Sequence, residues 1–186
     1  MKKMISNFIF LFEYKMVSIG PYSQSCNYTH MWNKGDLRPL SKKEQFCPHS
    51  LMGIINSNTD FTKFKYLVKL ARLENILDHS QANFTLFVPS DKALQGINEN
   101  IFSNMDDATA RHIVRSSILN YRYPSEILES SPAIYYNTID SPNRLFISNI
   151  SGQTYINNCI NIIKKDILTS NGIIHVIDKL IQPEII

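Results

Sequence analysis

The chain has 186 residues, 44% hydrophobic and 19% charged, with 19 Lys and Arg against 16 Asp and Glu. That length and balance suit one folded domain with a terminal extension, and exclude a disordered chain or a collagen-like repeat. Residues 51–183 carry as many cations as acids and the basic surplus lies in the first fifty, so the folded part lacks the clustered basic face that nucleic-acid binding needs.

Residues 1–25 carry the pattern of an export signal. Lys2 and Lys3 make a positive start, Ile5 to Phe12 an apolar stretch, and Ser18, Gly20, Ser23 and Ser25 a run of small residues. Ser6 and Asn7 interrupt the stretch, and Glu13 and Lys15 cut it short, which leaves an ordinary N-terminal helix or tail as the other reading. Residues 26–49 are rich in Pro, Ser, Lys and Asn without a sustained period, and read as an irregular arm. Cys26 and Cys47 flank a loop-like stretch of it that a disulfide would close in an exported chain. No run approaches the ~18 apolar residues of a membrane span, so no transmembrane segment is expected. Asn27-Tyr28-Thr29, Asn83-Phe84-Thr85 and Asn149-Ile150-Ser151 are candidate glycosylation sites.

Order begins near Leu51. Phe61, Phe64, Leu67, Val68 and Ala71 recur at helical spacing behind Thr59 or Asp60 as N-cap, and Leu73, Ile76 and Leu77 continue as a shorter helix. Thr85 to Val88 is a short apolar run stopped by Pro89, the pattern of a buried strand. Ser90-Asp91 is placed to cap a short helix carrying Ala93 and Leu94. Asp106-Asp107 opens a helix with Ala110, Ile113, Val114 and Ser117 along one stripe, the acids suiting its N-terminal dipole. After Pro124 the character turns to β. Ser151-Gly152 joins Leu145–Ile150 to Gln153–Asn157, and Asn171-Gly172 joins Ile160–Leu168 to Gly172–Leu180, each a hairpin signal that tolerates positive φ. Ile173 to Ile177 is apolar on both faces and reads as a central strand, while Cys159 among apolar residues reads as a buried thiol. Helices followed by antiparallel strands give an α+β class.

The common catalytic and phosphate-binding spacings are missing: no GxSxG, HExxH, GxxxxGK[ST] or GxGxxG. The five His residues share no ligand spacing with one another or with Cys and carboxylates. His175 and Asp178 are three apart on a strand and face opposite ways, so His175 reads as a hydrogen-bonded core residue. No catalytic residue, cofactor site or metal site is expected.

Two stretches carry a resemblance. Thr85-Leu86-Phe87-Val88-Pro89-Ser90-Asp91-Lys92-Ala93-Leu94 resembles the first signature box of fasciclin (FAS1) domains, and Asn171-Gly172-Ile173-Ile174-His175-Val176-Ile177-Asp178 resembles the second. Over residues 50–184 this resemblance implies the FAS1 fold, a β-sandwich-like wedge of about seven strands with helices packed around it. It also implies a non-enzymatic adhesion module, secreted or at the cell surface, that binds a cell-surface or matrix protein or a glycan. The alternative is an intracellular or virion-associated structural protein that keeps the fold without adhesion. Animal matrix members carry an Asp-Ile motif before the second box that has been proposed for partner contact. Lys165-Asp166-Ile167-Leu168 matches it, although strand period turns Ile167 inward and gives the motif a structural reading as well. Tyr121 and Tyr123 are further candidates for a partner surface.

Overall fold

The computed structural model describes residues 46–182, so the export-signal reading, most of the arm, Cys26 and Asn27 lie outside the described residues. The Ser50 hydroxyl accepts from the Gly53 amide at 2.9 Å and caps α1 (Leu51–Ser57). A 3-10 turn (Thr59–Phe61), capped by Asn58 rather than by Thr59 or Asp60, leads into α2 (Thr62–Leu70). The cap of α2 comes from a distant loop. Asp91 accepts from the amides of Thr62 at 3.1 Å and Lys63 at 2.9 Å. Committed to α2 in this way, Asp91 opens no helix of its own, and residues 91–96 form turns where a helix was expected.

The remaining elements are α3 (Glu74–Asp78), β1 (Phe84–Pro89), α4 (Glu99–Ser103), α5 (Asp107–Ser116), β2 (Ile118–Leu119), α6 (Ser125–Ser130), β3 (Ile134–Asn137), β4 (Arg144–Ile150), β5 (Gln153–Ile156), β6 (Ile160–Thr169) and β7 (Gly172–Ile177). Asp106 caps α5 by accepting from the Thr109 amide at 2.6 Å, as its position suggests. Helix α6 interrupts the stretch read as β throughout.

Seven strands form one sheet in the order β2-β1-β7-β6-β5-β4-β3. Strand β7 is buried along its whole length between β1 and β6. Its pairing with β1 is parallel, from Phe84↔Gly172 to Pro89↔Ile177, so the sheet is mixed rather than wholly antiparallel. The two outer strands meet. Leu119 bridges Thr138, and Ile139 donates to the Ile118 carbonyl at 3.0 Å, so the sheet nearly closes on itself.

Closure divides the apolar side chains into two cores. Alternate residues of β1 and β7 (Leu86, Val88, Ile174, Val176) meet α1, α2, α3 and α5 on the outer face. The other set, with Phe87, Ile147, Ile156, Ile162 and Ile177, fills the inside of the curled sheet together with Leu128 of α6. The fold expected from the signature boxes, about seven strands with helices around them, is the one observed.

The β6–β7 turn corrects one expectation. Gly172 is not in the left-handed region; positive φ falls instead on Ser151 (52°) and Gly152 (81°) in the other hairpin. What Gly172 supplies is space, because a Cβ there would lie 2.5 Å from the Phe84 carbonyl oxygen and 2.8 Å from Leu51 Cδ1. Asn171 beside it is buried and ties three segments together. Its Oδ1 accepts from the Leu51 amide at 2.8 Å, and its Nδ2 donates to the carbonyls of Leu77 at 2.8 Å and His79 at 3.0 Å. The pair thus docks α1 and α3 onto the hairpin.

Candidate interaction surface

Residues 120–131 run as a strap across the strands, fastened by one side chain after another. At β1 the Thr85 hydroxyl donates to the Tyr121 carbonyl and accepts from the Tyr123 amide, both at 2.7 Å. At β7, Nε2 of His175 lies 2.9 Å from the Tyr123 carbonyl. At β6 the Asp166 carboxylate accepts from the Ser125 amide at 2.9 Å and from the Ser125 hydroxyl, holding the start of α6. At β4, Asn149 Nδ2 donates to the carbonyls of Leu128 at 2.8 Å and Glu129 at 2.9 Å, where α6 ends. The ion pair Lys165–Glu129, at 2.5 Å, lies beside these contacts.

His175 joins the strap to β6. It is fully buried and stacks on Phe87 with ring centroids 5.7 Å apart. A carbonyl faces Nε2, while the Asp166 amide donates to Nδ1 at 3.3 Å, so the partners fix the neutral tautomer that carries its proton on Nε2. Burial holds the imidazole below its ordinary value; the Tyr123 carbonyl and the Asp166 charge oppose this only in part.

The candidate contact residues fall around this strap. Asp166 has φ 57° at a register shift between Lys164 and Ile167, and this bulge turns both Lys165 and Asp166 to solvent. Ile167 returns inward and packs against the helix-side core, while Leu168 is 67% exposed. Tyr121 is 65% exposed, and half-buried Tyr123 makes edge contacts with Tyr121 (6.4 Å between centroids) and Tyr136 (4.9 Å). The strap therefore brings Tyr121, Tyr123, Lys165 and Asp166 into one region, although more than forty residues separate Tyr121 from Lys165 in the chain. Arg122, between the two tyrosines, has a buried Nε without an acceptor among the described residues, and burial lowers the value of its guanidinium.

Other expectations fare differently. Asn83 is exposed, whereas the amide nitrogen of half-buried Asn149 donates to the end of α6 and its Oδ1 accepts from Thr154 at 2.7 Å. Cys159, expected to be a buried thiol, is free and exposed in the β5–β6 turn, where Asn157 and Asn158 have positive φ. Cys47 is buried and disulfide-bonded.

The sequence reading missed Asp140. This buried carboxylate collects His112 Nδ1 at 3.2 Å, Arg115 Nε at 3.3 Å, Ser116 Oγ at 3.1 Å and Asn143 Nδ2 at 2.8 Å, and so pins α5 to the β3–β4 connection. Burial pushes its carboxyl up, but the hydrogen bonds from Asn143, His112 and Ser116 outweigh that and hold it below the usual range. The Asp140-Ser141-Pro142-Asn143 turn was the available signal. Serine, histidine and aspartate meet here without forming a nucleophile–base pair, since Ser116 donates to the carboxylate and not to His112. Among the described residues no group of three His, Cys, Asp or Glu could hold a metal ion, and no helix is long and apolar enough to cross a membrane.

Comparison with known proteins bears on this surface through the fold. The family model described as Fasciclin domain matches residues 59–183. The chain is 24% identical to human periostin over 137 residues, covering 73% of this chain but only 16% of periostin's length. Among solved structures it is similar to a FAS1 domain pair from the insect cell adhesion molecule fasciclin I. That match has a TM-score of 0.62 and 23% identity, covering 71% of this chain and 50% of the other, and at that identity it speaks for the fold alone.

Proposed function

The chain belongs to the fasciclin domain family, and from that premise we propose that it is a non-enzymatic adhesion or surface-interaction module, working outside the cell and binding proteins or glycans. The observation that carries this reading is the strap, which fixes Tyr121, Tyr123, Lys165 and Asp166 on a rigid sheet with aromatic and charged groups turned outward. The insect relative is a cell adhesion molecule, which supports the same class of activity. A disulfide at Cys47 supports an oxidising compartment, with Cys26 as its proposed partner and Asn83 as the proposed glycosylation site.

The test is attachment of cultured animal cells to the immobilised protein, alongside a glycan array probed with the same preparation. Attachment above an albumin-coated surface is expected, falling at least fivefold for Tyr121→Ala while the melting temperature holds. Absence of both cell and glycan binding would sink the reading. A second reading, an intracellular or virion structural protein that keeps the fold, draws support from the exposed free thiol of Cys159, which suits a reducing compartment. The non-reduced mass of the protein from its natural source separates the two.

A further inference from the structure

We propose that His175 is an acid-sensitive catch for the strap: its two ring nitrogens hold the 120–125 segment and the β6 bulge in one arrangement near neutral pH, and protonation at Nδ1 releases the bulge and loosens the contact surface. The role in binding rests on the function proposed above; the catch itself rests on geometry. His175 touches both halves of the surface, accepting from the Asp166 amide and donating to the Tyr123 carbonyl. Of the side chains that fasten the strap, Thr85 and Asn149 do not titrate, and Asp166 is an exposed carboxylate. His175 is the imidazole among them, and because burial holds it below its ordinary value it gains charge only on acidification.

Protonation is felt differently at the two nitrogens. At Nε2 the hydrogen bond to Tyr123 survives and strengthens, because an imidazolium is the better donor. At Nδ1 the lone pair that accepts the Asp166 amide becomes an N–H, and two donors then face each other. The charged groups around the ring are Lys165 and Asp166 on β6 and Glu129 on α6; Phe87 on β1 is apolar and the 120–124 loop offers a carbonyl. Asp166 and Glu129 favour the imidazolium and Lys165 opposes it. The relaxation open to the site is to turn the Asp166 carboxylate toward the new cation. That movement takes the carboxylate from Ser125 and uncaps α6.

Two measurements on the full chain test this without any partner. Imidazole nitrogen spectra of the wild type, from pH 8 down to the onset of acid unfolding, give the tautomer and the midpoint of His175, and hydrogen exchange gives amide protection over the same range. The Nε2–H tautomer is expected at pH 8. Protection factors of the Asp166 and Ser125 amides, corrected for intrinsic rates, should then fall at least tenfold through the His175 midpoint while the β1 and β7 amides stay protected. His175→Gln should abolish the dependence, and the wild-type data stand alone if that variant does not fold. Unchanged Asp166 protection across the midpoint, or loss only in step with β1 and β7, overturns the catch. Cell attachment is then compared at pH 7.5 and at a pH below the measured His175 midpoint. A loosened surface with equal attachment at both values overturns the link to binding, whereas no attachment at either overturns the proposed function and leaves the catch intact.

Discussion

Replacing Gly172 by Val forces α1 and β1 away from β7, since even a Cβ meets the Phe84 carbonyl oxygen and the Leu51 side chain at less than van der Waals distance. A loss of about 1–3 kcal/mol is expected, the usual cost of overpacking, and urea denaturation reads it directly. Asn171→Ala should cost a similar ~1–3 kcal/mol for the opposite reason, because it takes the side-chain partner from the buried Leu51 amide and Leu77 carbonyl, while the His79 carbonyl keeps the Ala82 amide. Acid acts at two further residues. The folded value of His175 lies below the 6.5 of an ordinary histidine, so below that pH the unfolded chain binds more protons and stability falls as pH drops. Asp140 is also held below its ordinary value of 3.8, so its contribution is full above that pH and is lost as pH falls through the lower folded value. Thermal melts from pH 8 to pH 3 should show two separate declines. His175→Gln should remove the one that sets in below pH 6.5, and a flat profile from pH 7 to pH 5 would contradict the buried, neutral assignment.

Helices here are anchored by side chains from other elements, and this decides both their stability and their legibility. Asp91→Ala takes the cap from α2 and should cost about 0.5–2 kcal/mol. Asp166→Ala does the same to α6 with a cost in the same ~0.5–2 kcal/mol range, while half-buried Ile167→Ala should fall at the low end of the ~2–5 kcal/mol seen for core truncations. Denaturation midpoints of the three variants check the order, and an Asp166→Ala protein as stable as wild type yet unable to bind cells would make that carboxylate a contact group first. Helix α5, the β4–β5 hairpin and β7 were legible because period, cap and turn residues lie within each segment. The cap of α2 was misassigned because its acceptor is 29 residues away. Helix α6 was hidden because it is six residues long with Leu128 as its buried apolar residue. Of the surface, the sequence offered the residues around Asp166 and the two tyrosines, but their meeting depends on the strap, and Asp140 depends on partners from two elements.

Closure of the sheet is uneven in strength. The seam between β2 and the end of β3 is a single bridge with a few flanking hydrogen bonds, whereas β1 and β7 pair over six residues inside two cores. Native-state hydrogen exchange should therefore find the Ile139 and Asn120 amides opening at low free energy while the β7 amides exchange only on global unfolding. Equal protection at the seam and in β7 would mean that the sheet opens as one unit. The same arrangement sets how the domain bears load. The last strand lies in the middle of the sheet, flanked by a parallel and an antiparallel neighbour, and Ile181 beyond it is buried. Tension along β7 from its C-terminal side would slide it lengthwise between β1 and β6, straining both ladders at once. An edge strand would instead unzip one bond at a time. A body that must keep its grip while being tugged is better served by the first geometry.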